Sequence, residues 1–149
     1  MNKLLLLISM CICSQNPIFS QSLIGMKKHY IETDMINIGG VKIDTIFSEK
    51  DTSDIYLFKE PNPMLEIYFF NSYNVAYSVM YVIYDINLME EKIRFMNKEY
   101  IPKGELSWSY YFNGMKLNVN LTKNTTQSSF SVIYNNPKLN DLFPPEIKF

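Results

Sequence analysis

The side chains that most often carry chemistry are scarce in this chain, which has one histidine and two cysteines in 149 residues. The cysteines, Cys11 and Cys13, fall within the first fourteen residues, and His29 lies between Lys28 and Tyr30. These residues do not make a Cys–His nucleophile pair or a zinc site of the Cys- and His-rich kinds. A Ser–His–Asp triad would need His29, whose charged neighbourhood reads as a solvated helix position. Gly39-Gly40 lacks the Lys-Ser/Thr of a phosphate loop and the spacing of a dinucleotide turn, so it reads as a helix stop. Carboxylates are the one resource in quantity, with Asp and Glu together numbering 15. A glycosidase-like pair is open to them. Glu49, Asp51 and Asp54 share a loop but lack the alternating acids, the glycine and the terminal Glu of a calcium loop. Asn120-Leu121-Thr122 and Asn124-Thr125-Thr126 match glycosylation sequons, which matter only in a host that glycosylates. No cofactor or metal is expected. If the chain is an enzyme, it is a carboxylate-dependent hydrolase of a glycan or peptide.

Apolar residues make up 47% and charged residues 19%, which excludes a disordered chain. The net charge is −1 and no basic run is present, so nucleic acid is not an expected partner. The start reads Met1-Asn2-Lys3, then apolar from Leu4 to Ile12, then a polar stretch ending at Ser20. That three-part layout predicts a signal peptide over 1–20, with cleavage after Ser20 and export to the periplasm or beyond. The apolar run is too short to span a bilayer, so no transmembrane segment is expected. Lipid attachment at Cys11 is the rival reading, disfavoured because Met10 is neither Gly nor Ala.

Residues 21–149 read as a single α+β domain. A first helix runs roughly from Met26 to Met35. A second carries Met89, Ile93, Met96 and Tyr100 as one stripe, with Asn87 and Glu90 placed for a capping box. Pro102 and Gly104 follow it as stop signals. Elsewhere the period is two. Asn113-Gly114 is a favoured two-residue hairpin turn, and it sets Phe112 against Met115, Tyr110 against Leu117 and Trp108 against Val119. A strand through Phe130, Val132 and Tyr134 extends the same face. Earlier strands are expected over Val41 to Phe47, Ile55 to Lys59, Leu65 to Phe70 and Val75 to Tyr84. A three-residue loop at Ser72-Tyr73-Asn74 would set Phe69 against Tyr77 and Ile67 against Val79. The expected architecture is an antiparallel sheet with two helices on one face and an irregular tail from Asn135. Loose likeness between the halves, such as Val82-Ile83-Tyr84-Asp85 beside Val132-Ile133-Tyr134-Asn135, leaves open two helix-plus-meander repeats.

Ile24-Gly25-Met26-Lys27-Lys28 opening a short helix before a meander resembles the small exported proteins of the β-lactamase inhibitor protein kind and the small outer-membrane assembly lipoproteins. The resemblance covers five residues and the order of elements. It implies binding of other proteins through an exposed sheet face, and it carries over no functional residue.

The unusual feature of the composition is its aromatic load, with 11 Tyr and 10 Phe. On the expected register Tyr68, Phe70, Met80 and Tyr84 face away from the helices, and the face continues toward Tyr111 and Lys116. Aromatic side chains on an open face give large contact area for little lost rotamer freedom. The function expected is therefore a non-enzymatic exported binding or envelope accessory protein, with a protein or envelope partner, using those six residues.

Overall fold

A computed structural model describes residues 23–60 and 62–140. The expected signal peptide, its Ser20 cleavage point and Cys11 lie outside the described residues. Helix α1 spans Lys28–Asn37 and is followed by four strands: β1 (Val41–Phe47), β2 (Thr52–Phe58), β3 (Met64–Phe70) and β4 (Ala76–Ile83). A 3-10 turn, Ile86–Leu88, leads into α2 (Met89–Glu99). The remaining strands are β5 (Ile101–Gly104), β6 (Ser107–Phe112), β7 (Met115–Asn124) and β8 (Ser129–Asn135), and a short helix α3 covers Pro137–Asn140. All eight strands form one antiparallel sheet in the order β1-β2-β3-β4-β8-β7-β6-β5.

This corrects the α+β expectation with two helices as a layer. Among the described residues sheet predominates and about 24% are helical, in α1, the 14-residue stretch of 3-10 turn and α2, and the four-residue α3. The core shows why. Of the 20 buried apolar residues described, α1 supplies Ile31 and Met35 and α2 supplies Met96, while the strands supply most of the rest. The segment likeness between the halves also loses its footing, because Tyr84 is exposed where its counterpart Tyr134 is fully buried.

The β6–β7 hairpin follows its turn. Asn113 and Gly114 both have positive φ, as a two-residue hairpin turn of this kind requires. Phe112 pairs with Met115, Tyr110 with Leu117 and Trp108 with Val119. Trp108 is buried, and its indole N–H donates to Asn97 Oδ1 of α2 at 2.8 Å, pinning the helix to the sheet. The start of α2 differs from expectation. Asn87 does not cap it: a 3-10 turn capped by Asp85, which accepts from the Asn87 N–H at 3.0 Å, leads into the helix, and the helix's own N-cap residue, Leu88, makes no side-chain cap. Pro102 and Gly104 do more than stop α2, since they lie in edge strand β5. The expected irregular tail first forms α3, whose Leu139 packs on the core.

Lys92 of α2 is half-buried, and that burial lowers its pKa to about 8. Its ammonium lies 5.6 Å from the centre of the Phe95 ring. A lysine depressed in the folded state weakens folding at neutral pH. The loss accumulates as pH falls from about 10.5 to about 8 and stays constant below. Lys92→Met is expected to raise unfolding stability at pH 7 by ~1–2 kcal/mol, allowing for the water its half-buried side chain keeps. The gain should vanish in melts above about pH 10.5.

Candidate functional site

The two faces of the sheet differ in kind. On the buried face, Tyr56, Tyr68, Val79, Tyr134, Val119 and Trp108 lie under the helices. Much of the aromatic load is spent here. Tyr100 and Tyr134 hydroxyls meet at 3.1 Å, and Tyr81 packs edge-on to Tyr134 at 5.8 Å. Burial, followed by the neighbouring Tyr100, holds the Tyr134 hydroxyl well above its usual pKa.

A charged group is sealed beneath α1. Asp54 has no solvent exposure, and its carboxylate is held by Lys28 Nζ at 3.0 Å and Lys42 Nζ at 3.2 Å. Thr45 Oγ1 donates to Asp54 Oδ1 at 2.8 Å, and Lys42 also reaches Glu32 at 3.1 Å. Burial pushes the Tyr56 hydroxyl far up, with the Asp54 carboxylate adding to the effect. Glu66, also buried, accepts from the Tyr68 hydroxyl at 2.9 Å. Two carboxylates thus share one face, but neither opens onto solvent. Among the described residues, no three His, Cys, Asp or Glu side chains gather as a metal site would need.

Among the described residues no long helix covers the opposite face, and its composition changes across the sheet. One row runs Ile55, Ile67, Met80, Ile133 and then Asn120, Ser107. The next runs Val41, Leu57, Leu65, Val82 and then Ser131, Thr122. The second row turns from aliphatic to polar at β8, the first one strand later, at Asn120 of β7. Apart from Val41, which is exposed, the aliphatic members are half-buried. The apolar half is roughly 19 Å wide at the spacing of four strands. A shallow hollow of about 410 Å³ lies at the boundary, lined by Met80 and Val82 on one side and Thr122, Gln127 and Ser131 on the other.

The six expected binding residues do not form one site. Tyr68 and Phe70 are fully buried, a correction to the open-face placement. Phe70 stacks near Tyr68 at 6.4 Å and lies 5.4 Å from Lys28 Nζ. The cause is a one-residue difference in register. Phe69 pairs with Ser78 and Ile67 with Met80, and an irregularity follows at Phe69/Phe70. Asn71 builds the connection, its Oδ1 accepting from the Tyr73 and Val75 N–H groups. The odd-numbered residues of β3 therefore face outward and the even-numbered ones inward. Met80 does lie on the open face. Tyr111 and Lys116 are direct neighbours on its polar half, both exposed. Tyr84 is exposed just past β4, at the other end of the sheet, about 30 Å away by strand spacing and rise. The open apolar surface is built instead by Ile55, Leu57, Leu65, Ile67, Val82 and Ile133. A signal for it was present in the unbroken apolar runs Ile55-Tyr56-Leu57-Phe58 and Ile67-Tyr68-Phe69-Phe70, which mark strands apolar on both sides. No protein-family model, no curated protein and no solved structure matches this chain.

Proposed function

We propose that this chain is a non-enzymatic exported binding or envelope accessory protein that engages a protein partner through the apolar half of its open sheet face. The observation that carries the reading is the pair of aliphatic rows on β1–β4 that no other described element covers. Monomers seldom leave so contiguous an apolar surface to water, and contact surfaces place an apolar centre beside a polar rim. The polar half from β8 to β6 supplies such a rim. The five-residue resemblance at Ile24–Lys28 points to the same use of a sheet face. Hydrolysis would need a reachable carboxylate pair, and Asp54 and Glu66 are both closed from solvent.

The test is a photo-crosslinking amino acid placed singly at Met80, Ile67, Asn120 or Lys116 in cells that express the full chain. The expected result is a discrete adduct from Met80 and Ile67 and none from the two polar-half positions. The same captured protein should begin after Ser20 by intact mass. Adducts from Lys116 and Asn120 alone, or from none of the four, would overturn the binding face. A lipid-bearing N-terminus at Cys11 would overturn the processing.

A further inference from the structure

Exposed large apolar side chains are concentrated in one stretch of the chain. Eleven occur among the described residues, and six of them, Ile36, Ile38, Val41, Ile43, Ile46 and Phe47, lie between the end of α1 and the end of β1. Phe47 is 75% exposed. β1 is also an outer strand of the sheet, paired on one side by β2. The other outer strand, β5, is protected in the usual ways, being four residues long and containing Pro102, Lys103 and Gly104. β1 has seven residues and neither Pro nor Gly; its protection is an irregularity between Lys42 and Asp44, those two charges, and an Asp44 carboxylate that accepts from the Thr45 N–H at 2.8 Å.

The geometry points to the β1 edge as a pairing surface for a second copy of this chain, joined antiparallel through β1 about a two-fold axis. The evidence for a second copy is the strand's own pattern. Antiparallel pairing that sets Val41 opposite Ile46 of the other copy also sets Lys42 opposite Thr45. Val41 and Ile46 both belong to the open face, as their partners Leu57 and Ser53 show. Lys42 and Thr45 both belong to the buried face, opposite Tyr56 and Asp54. Both faces are therefore preserved in both copies, as an isologous contact requires. Lys42 brings no unmatched charge, because Glu32 and Asp54 of its own chain already hold it. Phe47 falls opposite Gly40 across the joint, where the Phe58 ring of the facing copy already lies over the glycine, so the two rings would pack side by side close to the exposed Ile38. Val41, Ile43, Ile46 and Phe47, each more than half exposed on β1, contribute apolar area with the strand backbone toward the ~800 Å² each partner gives to a standard interface. Asp44 is the weak point, because this register sets it opposite Ile43 of the other copy at the irregularity and brings the two Asp44 side chains near each other across the axis.

This surface is distinct from the open face, so the two readings can fail separately. The test is sedimentation equilibrium of the full chain across a concentration series, with Ile46→Lys and Phe47→Lys, Asp44→Asn and Met80→Lys as variants. The expected result is a dimer for the native chain, with dissociation raised about tenfold or more by Ile46→Lys and Phe47→Lys together. Asp44→Asn should tighten the dimer, and Met80→Lys should leave it unchanged. Asp44, Ile46 and Phe47 are exposed and Met80 is half-buried, so a thermal melt of each variant checks that it stays folded. A chain that stays monomeric to about 100 µM would overturn the proposal. So would a dimer weakened by Met80→Lys and indifferent to the β1 substitutions, which would place the interface on the open face.

Discussion

Phe70→Ala is expected to lower unfolding stability by about 3–5 kcal/mol, read from urea denaturation. Phe70 is fully buried, close to the Tyr68 ring and beneath the Lys28 ammonium, so truncation leaves a void that α1 cannot collapse to fill. Tyr84→Ser, at a position 45% exposed, should change stability by less than about 0.5 kcal/mol. The pair of results discriminates between the two possible face assignments of β3. A loss below about 1 kcal/mol for Phe70→Ala would mean that its even-numbered residues face water.

Asp54→Ala should cost ~1–3 kcal/mol, because it takes the buried acceptor from Thr45 and leaves Lys28 and Lys42, each partly reached by water, without their shared carboxylate. Replacing Asp54, Lys28 and Lys42 together with apolar residues should recover much of that loss, since the one carboxylate left without its lysine, Glu32, is exposed to water. The network also sets the alkaline limit of stability. Burial alone would lower the Lys42 pKa, but hydrogen bonds to Glu32 and Asp54 outweigh it and hold the group above 10.5. A lysine raised on folding stabilises fully below its unfolded pKa and loses that contribution as pH climbs through the folded value. The raised Tyr56 hydroxyl acts in the same direction, beginning near pH 10. Native protein should therefore lose stability more steeply than Asp54→Ala above about pH 10, measured by urea titration at successive pH values.

The parts of the fold legible in the sequence are those where two independent local signals coincide. At Asn113-Gly114 the turn chemistry and the alternation of Trp108, Tyr110 and Phe112 agree, and the hairpin register follows from either one. β3 offered no such agreement. Met64 to Phe70 is apolar at both parities except for Glu66, and Glu66 faces inward because the Tyr68 hydroxyl satisfies it there. The side-chain pattern could not choose a face, so the choice passed to the loop. A loop whose length differs by one residue reverses the assignment. Of the six expected site residues, Met80, Tyr84, Tyr111 and Lys116 are solvent-side or exposed and scattered, while Tyr68 and Phe70 exchanged places with Ile67 and Phe69. The edge character of β5 was hidden for another reason. Pro102 and Gly104 read as terminators of a helix, yet the same residues are tolerated in an outer strand that needs hydrogen bonds on one side alone.

Every neighbouring pair of strands in the sheet is also adjacent along the chain, except β4 and β8. During synthesis the meander β1–β4 is therefore complete while the strand that must cap β4 is still to be translated, beyond α2 and three further strands. For that interval β4 presents a free edge carrying Val79, Met80, Tyr81 and Val82, a run with strong sheet propensity and no charge. The nascent chain is then at its greatest risk of pairing with a neighbour on the same message. A chaperone that holds the chain extended until β8 emerges would protect this seam above any other.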